Sequence, residues 1–186
     1  MAMTRRGFVV RAAGGLAATA WSAGPRAIAA PPTTTASRIE AVAFDAFPIF
    51  DPRPVFTLAD AMCPGAGLSG EWRMRQFEYT WLRVAARHYA DFWRVTEEAL
   101  TFAANKLKLR LSPDNRATLM DAYLRLKTWP DVVPALESMQ KSGARLALLS
   151  NFTRSMLDAN ITSAGLNGLF EQVLSTDQRA TYKPHR

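Results

Sequence analysis

Residues 44–51 read FDAFPIFD, directly after the run Ile39-Glu40-Ala41-Val42-Ala43, and this junction decides the fold. A continuous apolar run of this length, broken only by Glu40, predicts a strand over 39–44 buried on both faces of a parallel sheet. The charged Asp45 then falls at the strand's carboxyl end, where open α/β sheets bind their ligands. ARLALLS at 144–150 has the same pattern, and EQVLS at 171–175 is a weaker third strand. DVVPALESMQKSG reads as a helix ended by Gly143, and RSMLDANITSAG as one ended by Gly165. Helix-then-strand units of this kind imply a Rossmann-like α/β core with a parallel sheet and helices on its faces.

Between the first two strands the pattern changes to helical. EWRMRQFEYTWLRVAARHYADFW places Trp72, Phe77, Trp81, Ala85, Tyr89 and Phe92 three to five residues apart, with Leu82 beside Trp81, an amphipathic helix with an aromatic face. TEEALTFAANKLKL follows with Thr96 as a candidate N-cap, and SPDNRATLMDAYLRLK with Ser112 as cap and Pro113 in the first turn. The expected organisation is a core of 39–52 and 127–186 with a helical cap of 53–126 inserted after the first strand.

The chain has 186 residues, 48% hydrophobic and 21% charged, enough to bury a core, and carries a formal net charge of +7. That charge is concentrated at the start. Arg5, Arg6, Arg11 and Arg26 stand in the first 29 residues without an acid, and the rest holds 19 basic against 16 acidic residues. No basic stripe remains, so nucleic acid is not an expected partner. TRRGFVV, a weakly apolar AAGGLAATAW and the small-x-small AIAA read as a twin-arginine export signal over 1–29, followed by the linker 30–38. Export by the twin-arginine route, to the periplasm or otherwise out of the cytoplasm, is the expectation, with no stable membrane anchor once the signal is removed. The apolar stretch is shorter than the ~20 residues a bilayer span needs. A single Cys63 leaves no internal disulfide.

Three polar clusters fall at strand ends: Asp45, Ser150-Asn151, and Asp177 to Lys183. Each alone has an ordinary reading as a turn, a helix cap or a solvated loop. Taken together and in order, FDAFPIFD, WRMRQFEYTWLR, DFWRVTEEAL, DAYLRL, LALLSN and YKP resemble the haloacid dehalogenase superfamily, in its (S)-2-haloacid dehalogenase branch. The resemblance runs from about Ile39 to Pro184, and WRMRQFEYTWLR is its most specific part.

The resemblance implies hydrolytic dehalogenation of short 2-haloalkanoic acids through an aspartyl ester on Asp45, with no metal and no other cofactor. It implies that Lys183 holds Asp45 ionised and oriented, and that Arg73 faces the leaving halide with Asn151 and the edge of Phe92. It further implies that Ser150 and nearby backbone N–H groups hold the substrate carboxylate, and that Phe47, Met74 and Phe77 enclose the apolar part. A homodimer is compatible with it. The superfamily's phosphatases carry a second Asp where this chain has Phe47, so a Mg²⁺-dependent phosphatase is the weaker alternative. A non-catalytic small-carboxylate-binding protein on the same fold is the other.

Within the resemblance, Phe47, Pro48 and Ile49 stand where the family has Tyr, Gly and Thr, and the run is one residue shorter. Loss of the Thr hydroxyl removes a donor of a kind worth ~10²-fold in rate. Phe152 stands where Gly is common, which narrows the space for substrate. The family continues beyond YKP into an acidic segment that positions the hydrolytic water, so the sequence reads as the N-terminal part of a longer protein.

Overall fold

The computed structural model describes residues 39–185. The export signal and the linker expected over 1–38 lie outside the described residues. The core sheet has three parallel strands, β1 (Ala41–Phe44), β4 (Arg145–Ser150) and β5 (Gln172–Ser175), in the order β1-β4-β5. This is the expected parallel α/β core, with helices α6 (Val132–Lys141) and α7 (Arg154–Ser163) in the connections. Gly143 and Gly165 end those helices at φ +84° and +70°, backbone conformations that suit a residue without a Cβ.

The first strand is not buried on both faces. Val42 and Phe44 turn inward in register with Leu146 and Leu148, whereas Ala41 and Ala43 are exposed on the opposite face. The reason is the face and not the strand: the central β4 alternates in the same way, with Leu146 and Leu148 buried and Arg145 and Leu149 exposed. The same open face carries Leu149 and Leu174, which pair in register and are 38% and 41% exposed.

The chain leaves the core through β2 (Phe50–Asp51) and returns through β3 (Lys127–Thr128), and these two short strands pair antiparallel as a neck. Four helices lie between them: α2 (Arg53–Met62), α3 (Leu68–Ala85), α4 (Phe92–Lys106) and α5 (Pro113–Ala122). The sequence pattern foretells three of them and misses α2, which begins immediately after the neck. It also runs the aromatic helix too far. α3 stops at Ala85, Arg87 takes φ +55°, and α4 restarts at Phe92.

The cap of α4 is Asp91, whose side chain accepts from Arg94 N at 2.8 Å, and not Thr96. Thr96 is fully buried within α4, where its hydroxyl donates to the Phe92 carbonyl and accepts from Gln76 Nε2. Ser112 does cap α5, accepting from Asn115 N at 3.1 Å, with Pro113 in the first turn.

The core of the helical segment is built on Trp72. Its ring is fully buried, packs edge-on against Tyr123 at 5.4 Å, and its Nε1 donates to the Thr96 carbonyl at 2.9 Å. The rest of the aromatic stripe is only partly covered, with Phe77 63% and Trp81 58% exposed.

At the neck, Arg53 chelates Asp51. Its Nε and Nη2 donate to the carboxylate at 2.7–2.9 Å, its backbone N donates to Oδ1 at 2.9 Å, and its guanidinium lies 4.3 Å from the Trp129 ring centroid. These donors, the side-chain hydrogen bond first, hold the Asp51 carboxyl below its ordinary 3.8. A carboxyl depressed on folding stabilises the fold above its unfolded pKa, and that contribution is lost as pH falls through the folded value. In Arg53→Met the side-chain part of that contribution disappears while the backbone N–H of residue 53 still donates, so stability should fall less steeply below about pH 4 than in the parent. Urea unfolding between about pH 3 and 6 measures the difference.

Candidate active site

The loop after β1 answers why a proline follows Asp45. Residues Ala46–Ile49 form the single helical turn α1, and Asp45 is its N-cap in extended conformation, accepting from Ala46 N at 2.8 Å. Pro48 sits in that first turn, where its missing N–H would have had no helical partner. The turn is fastened from the far side of the neck: Trp129 Nε1 donates to the Phe47 carbonyl at 2.8 Å, and Trp129 N to the Ile49 carbonyl at 3.2 Å.

The same Asp45 oxygen that caps the turn, Oδ1, lies 3.1 Å from Lys183 Nζ. Among the described residues Oδ2 has no hydrogen-bond partner, and the side chain is 43% exposed. A carboxylate tethered through one oxygen and open at the other is held in orientation with a lone pair to spare. Lys183 is itself fixed twice more, its Nζ donating to the Leu149 carbonyl and its N to Asn151 Oδ1 at 2.8 Å.

Asn151 stands just past β4. Its Oδ1 also accepts from Thr176 Oγ1 at 3.1 Å, so it pins both ends of the loop that carries Lys183. Ser150 is 1% exposed, and its hydroxyl accepts from Phe152 N at 3.2 Å. Ser175, at the end of β5, repeats the device by accepting from Asp177 N while donating to the Phe152 carbonyl at 2.6 Å. Three strand ends thus converge, as the sequence pattern implied: Asp45, Ser150-Asn151 and the Asp177–Lys183 loop form one connected polar network.

Phe152 fills the space beside it. Its ring stacks on Phe92 at 5.0 Å and meets the edge of Phe47 at 5.3 Å, and it is 1% exposed. Phe47 and Phe92 are therefore brought to the site by a residue between them.

The structure does not bring the remaining sequence candidates into contact with Asp45. Arg73 is exposed and its guanidinium lies 5.4 Å from the Phe56 ring centroid, while Met74 and Phe77 are 47% and 63% exposed, with Phe77 against Trp81. A groove lined by Asp51, Arg53, Pro54, Thr57, Leu58 and Ala61 opens beside the neck and does not include Asp45.

Four contributors escape the sequence reading. Tyr89 donates to Asp177 Oδ1 at 2.6 Å, and Tyr182 to the Ala90 carbonyl at 2.6 Å. Asn160, fully buried in α7, accepts from Leu126 N and donates to the carbonyls of Tyr123 and Met156, all at 2.8 Å. Trp129 is the fourth. Asn160 alone left a signal, as a polar residue amid the apolar positions of a helix.

The family described as haloacid dehalogenase-like hydrolase matches residues 32–186. The chain is 40% identical over 149 residues to the (S)-2-haloacid dehalogenase of Pseudomonas sp. (strain YL), covering 78% of this chain and 64% of that protein. It is 37% identical over 151 residues to haloacetate dehalogenase H-2 of Moraxella sp. (strain B), covering 80% and 67%. Among solved structures, the L-2-haloacid dehalogenase from Xanthobacter autotrophicus with chloropropionic acid covalently bound superposes with a TM-score of 0.69 at 38% identity, over 80% of this chain and 61% of that one. The chain thus spans roughly two thirds of the length of such relatives. A match over most of the chain, joined to identities well above 30%, places it in that family. The protein belongs to the haloacid dehalogenase-like hydrolases.

Proposed function

We propose that the protein is a hydrolytic dehalogenase of short 2-haloalkanoic acids, with Asp45 as the nucleophile. The observation that carries the reading is the Asp45 carboxylate itself, tethered through Oδ1 to Ala46 N and Lys183 Nζ and open at Oδ2. Oδ2 attacks the halogen-bearing carbon, the carbon–halogen bond breaks, and halide leaves with the bonding electrons. The product is an aspartyl ester, and water then hydrolyses it to a 2-hydroxy acid and a proton, restoring the carboxylate. A carboxylate is a weak nucleophile, and its tether supplies the aim the reaction needs.

In this reading Lys183 keeps Asp45 in its orientation by charge, and Arg73 on α3 takes the leaving halide with the Asn151 amide and the edge of Phe92. Ser150 and the backbone N–H groups that open α7 hold the substrate carboxylate, and Phe47, Met74 and Phe77 enclose its carbon chain. The relative with chloropropionic acid covalently bound supports the ester step. The haloacid and haloacetate names of the other relatives support the substrate class.

Phe152, packed between Phe47 and Phe92, occupies room that a longer carbon chain would need. The smallest substrate is therefore favoured. Chloroacetate should exceed 2-chlorobutanoate in kcat/KM by about 10-fold or more, the scale of one or two methylenes in a confining pocket. Halide release measured on the two acids and on a phosphate monoester tests the reading. Phosphate release without halide release contradicts it.

A further inference from the structure

The helical segment touches the Lys183 loop at two hydroxyls. Tyr89 and Ala90 lie in the turn between α3 and α4, and their partners Asp177 and Tyr182 lie in the loop that follows β5. The donation runs both ways: Tyr89 reaches from the helical turn to the Asp177 carboxylate, and Tyr182 reaches back to the Ala90 carbonyl, each at 2.6 Å. The two rings also pack on each other at 5.5 Å, and Tyr182 contacts Phe92 at 6.5 Å. Asp177 and Tyr182 bracket the segment whose next residue, Lys183, pairs with Asp45. Asn151 fixes the loop at Thr176 and Lys183, so the two tyrosines supply the restraint in between.

We infer that the Tyr89–Asp177 and Tyr182–Ala90 hydrogen bonds form a two-point latch through which the helical segment positions Lys183 on Asp45. Tyr89, Asp177 and Tyr182 are positioning residues, acting through Lys183 and touching no reacting atom. The inference rests on the reading of Asp45 and Lys183 as the working pair, and it adds that the pair is assembled only when the α3–α4 turn is docked. Burial first, and the Asp177 carboxylate beside it, raises the Tyr89 hydroxyl above its ordinary range, and burial does the same for Tyr182. Both hydroxyls therefore remain donors throughout the neutral range.

The test reads Lys183 directly. Acylation of the folded chain by a water-soluble N-hydroxysuccinimidyl acetate is followed lysine by lysine by mass spectrometry, with Lys106 as the internal control. Lys106 is also held by a carboxylate, Glu71 at 2.8 Å, but lies in α4 away from the latch. In Tyr89→Phe and Asp177→Ala, Lys183 labelling relative to Lys106 should rise by about 10-fold, the factor of one hydrogen bond to a charged group, and in Tyr182→Phe by about 5-fold, the factor of one neutral hydrogen bond. Asp177→Asn retains an acceptor oxygen for Tyr89 and should label like the parent. Asp45→Asn, which removes the partner of Lys183, sets the upper limit of the effect.

An unchanged Lys183-to-Lys106 ratio in Tyr89→Phe and Asp177→Ala overturns the latch. So does a parallel rise at both lysines, which marks general loosening, or an Asp177→Asn variant that behaves like Asp177→Ala. The outcome is independent of turnover. Failure of the dehalogenase reading appears as absence of an Asp45 ester from haloacid, with the labelling pattern intact.

Discussion

Asp45→Asn is expected to abolish halide release, lowering kcat by about 10⁴-fold or more, the scale on which nucleophile deletions fall. The substitution isolates chemistry from folding. Asn caps a helical turn as well as Asp does, and its amide oxygen still accepts from Ala46 N. The side chain is 43% exposed, so no core contact is lost. What disappears is the negative charge at Oδ2 that attacks carbon, together with the attraction to Lys183 Nζ. Stability by thermal unfolding should therefore stay within about 1 kcal/mol of the parent, since the Lys183 pair is partly solvated. Halide electrode measurements on parent and variant with chloroacetate check the rate.

The largest expected effect on folding falls on Asn160, whose bonds hold the return to the neck and touch no reacting group. Its side chain makes three hydrogen bonds at 2.8 Å in a fully buried position, and two of them hold the chain between α5 and β3, at Tyr123 O and Leu126 N. Asn160→Ala leaves a buried N–H and two buried carbonyls without this partner and opens a cavity. Each orphaned group costs about 1–3 kcal/mol, so the variant should lose about 3 kcal/mol or more. The Tm should fall by about 10 °C. Asn160→Asp keeps the acceptor for Leu126 N but loses both donors, and should be no better than Ala once the charge of a buried carboxylate is counted. A loss below about 0.5 kcal/mol in Asn160→Ala, the range of ordinary surface changes, would show that the return to the neck is held by other contacts.

Features encoded over a few residues were legible in the sequence. The central strand β4, the Ser112-Pro113 start of α5 and the glycine ends of α6 and α7 each depend on neighbours in sequence, and each stands where the pattern puts it. Burial of β1 was not legible, because it depends on which face of the sheet is covered: Ala41 and Ala43 lie on the same open face as Leu149 of the central strand. The break between α3 and α4 was hidden because Arg87 takes positive φ without being a glycine, and because Thr96 and Asp91 are both good caps.

At the site, strand-end logic brought out Asp45, Ser150, Asn151 and Lys183, since a polar residue after an apolar run announces itself. Tyr89 and Tyr182 had no such mark. Their hydrogen-bond partners lie 88 and 92 residues away, and an aromatic at helical spacing reads as core. Pro48 and Ile49 read in sequence as the loss of a hinge and a hydroxyl. In the structure they belong to a turn capped by Asp45 and fastened by Trp129, so a built loop replaces the expected one.

Dehalogenation by this route requires Asp45 to bond covalently to substrate. Brief incubation of the protein with chloroacetate, acid quench and peptide mass spectrometry measures it. A carboxymethyl ester is expected on the peptide containing residues 44–51, assigned to Asp45 by fragmentation and absent from Asp45→Asn. An unmodified Asp45 while halide is released, or an ester on another carboxylate, would contradict it.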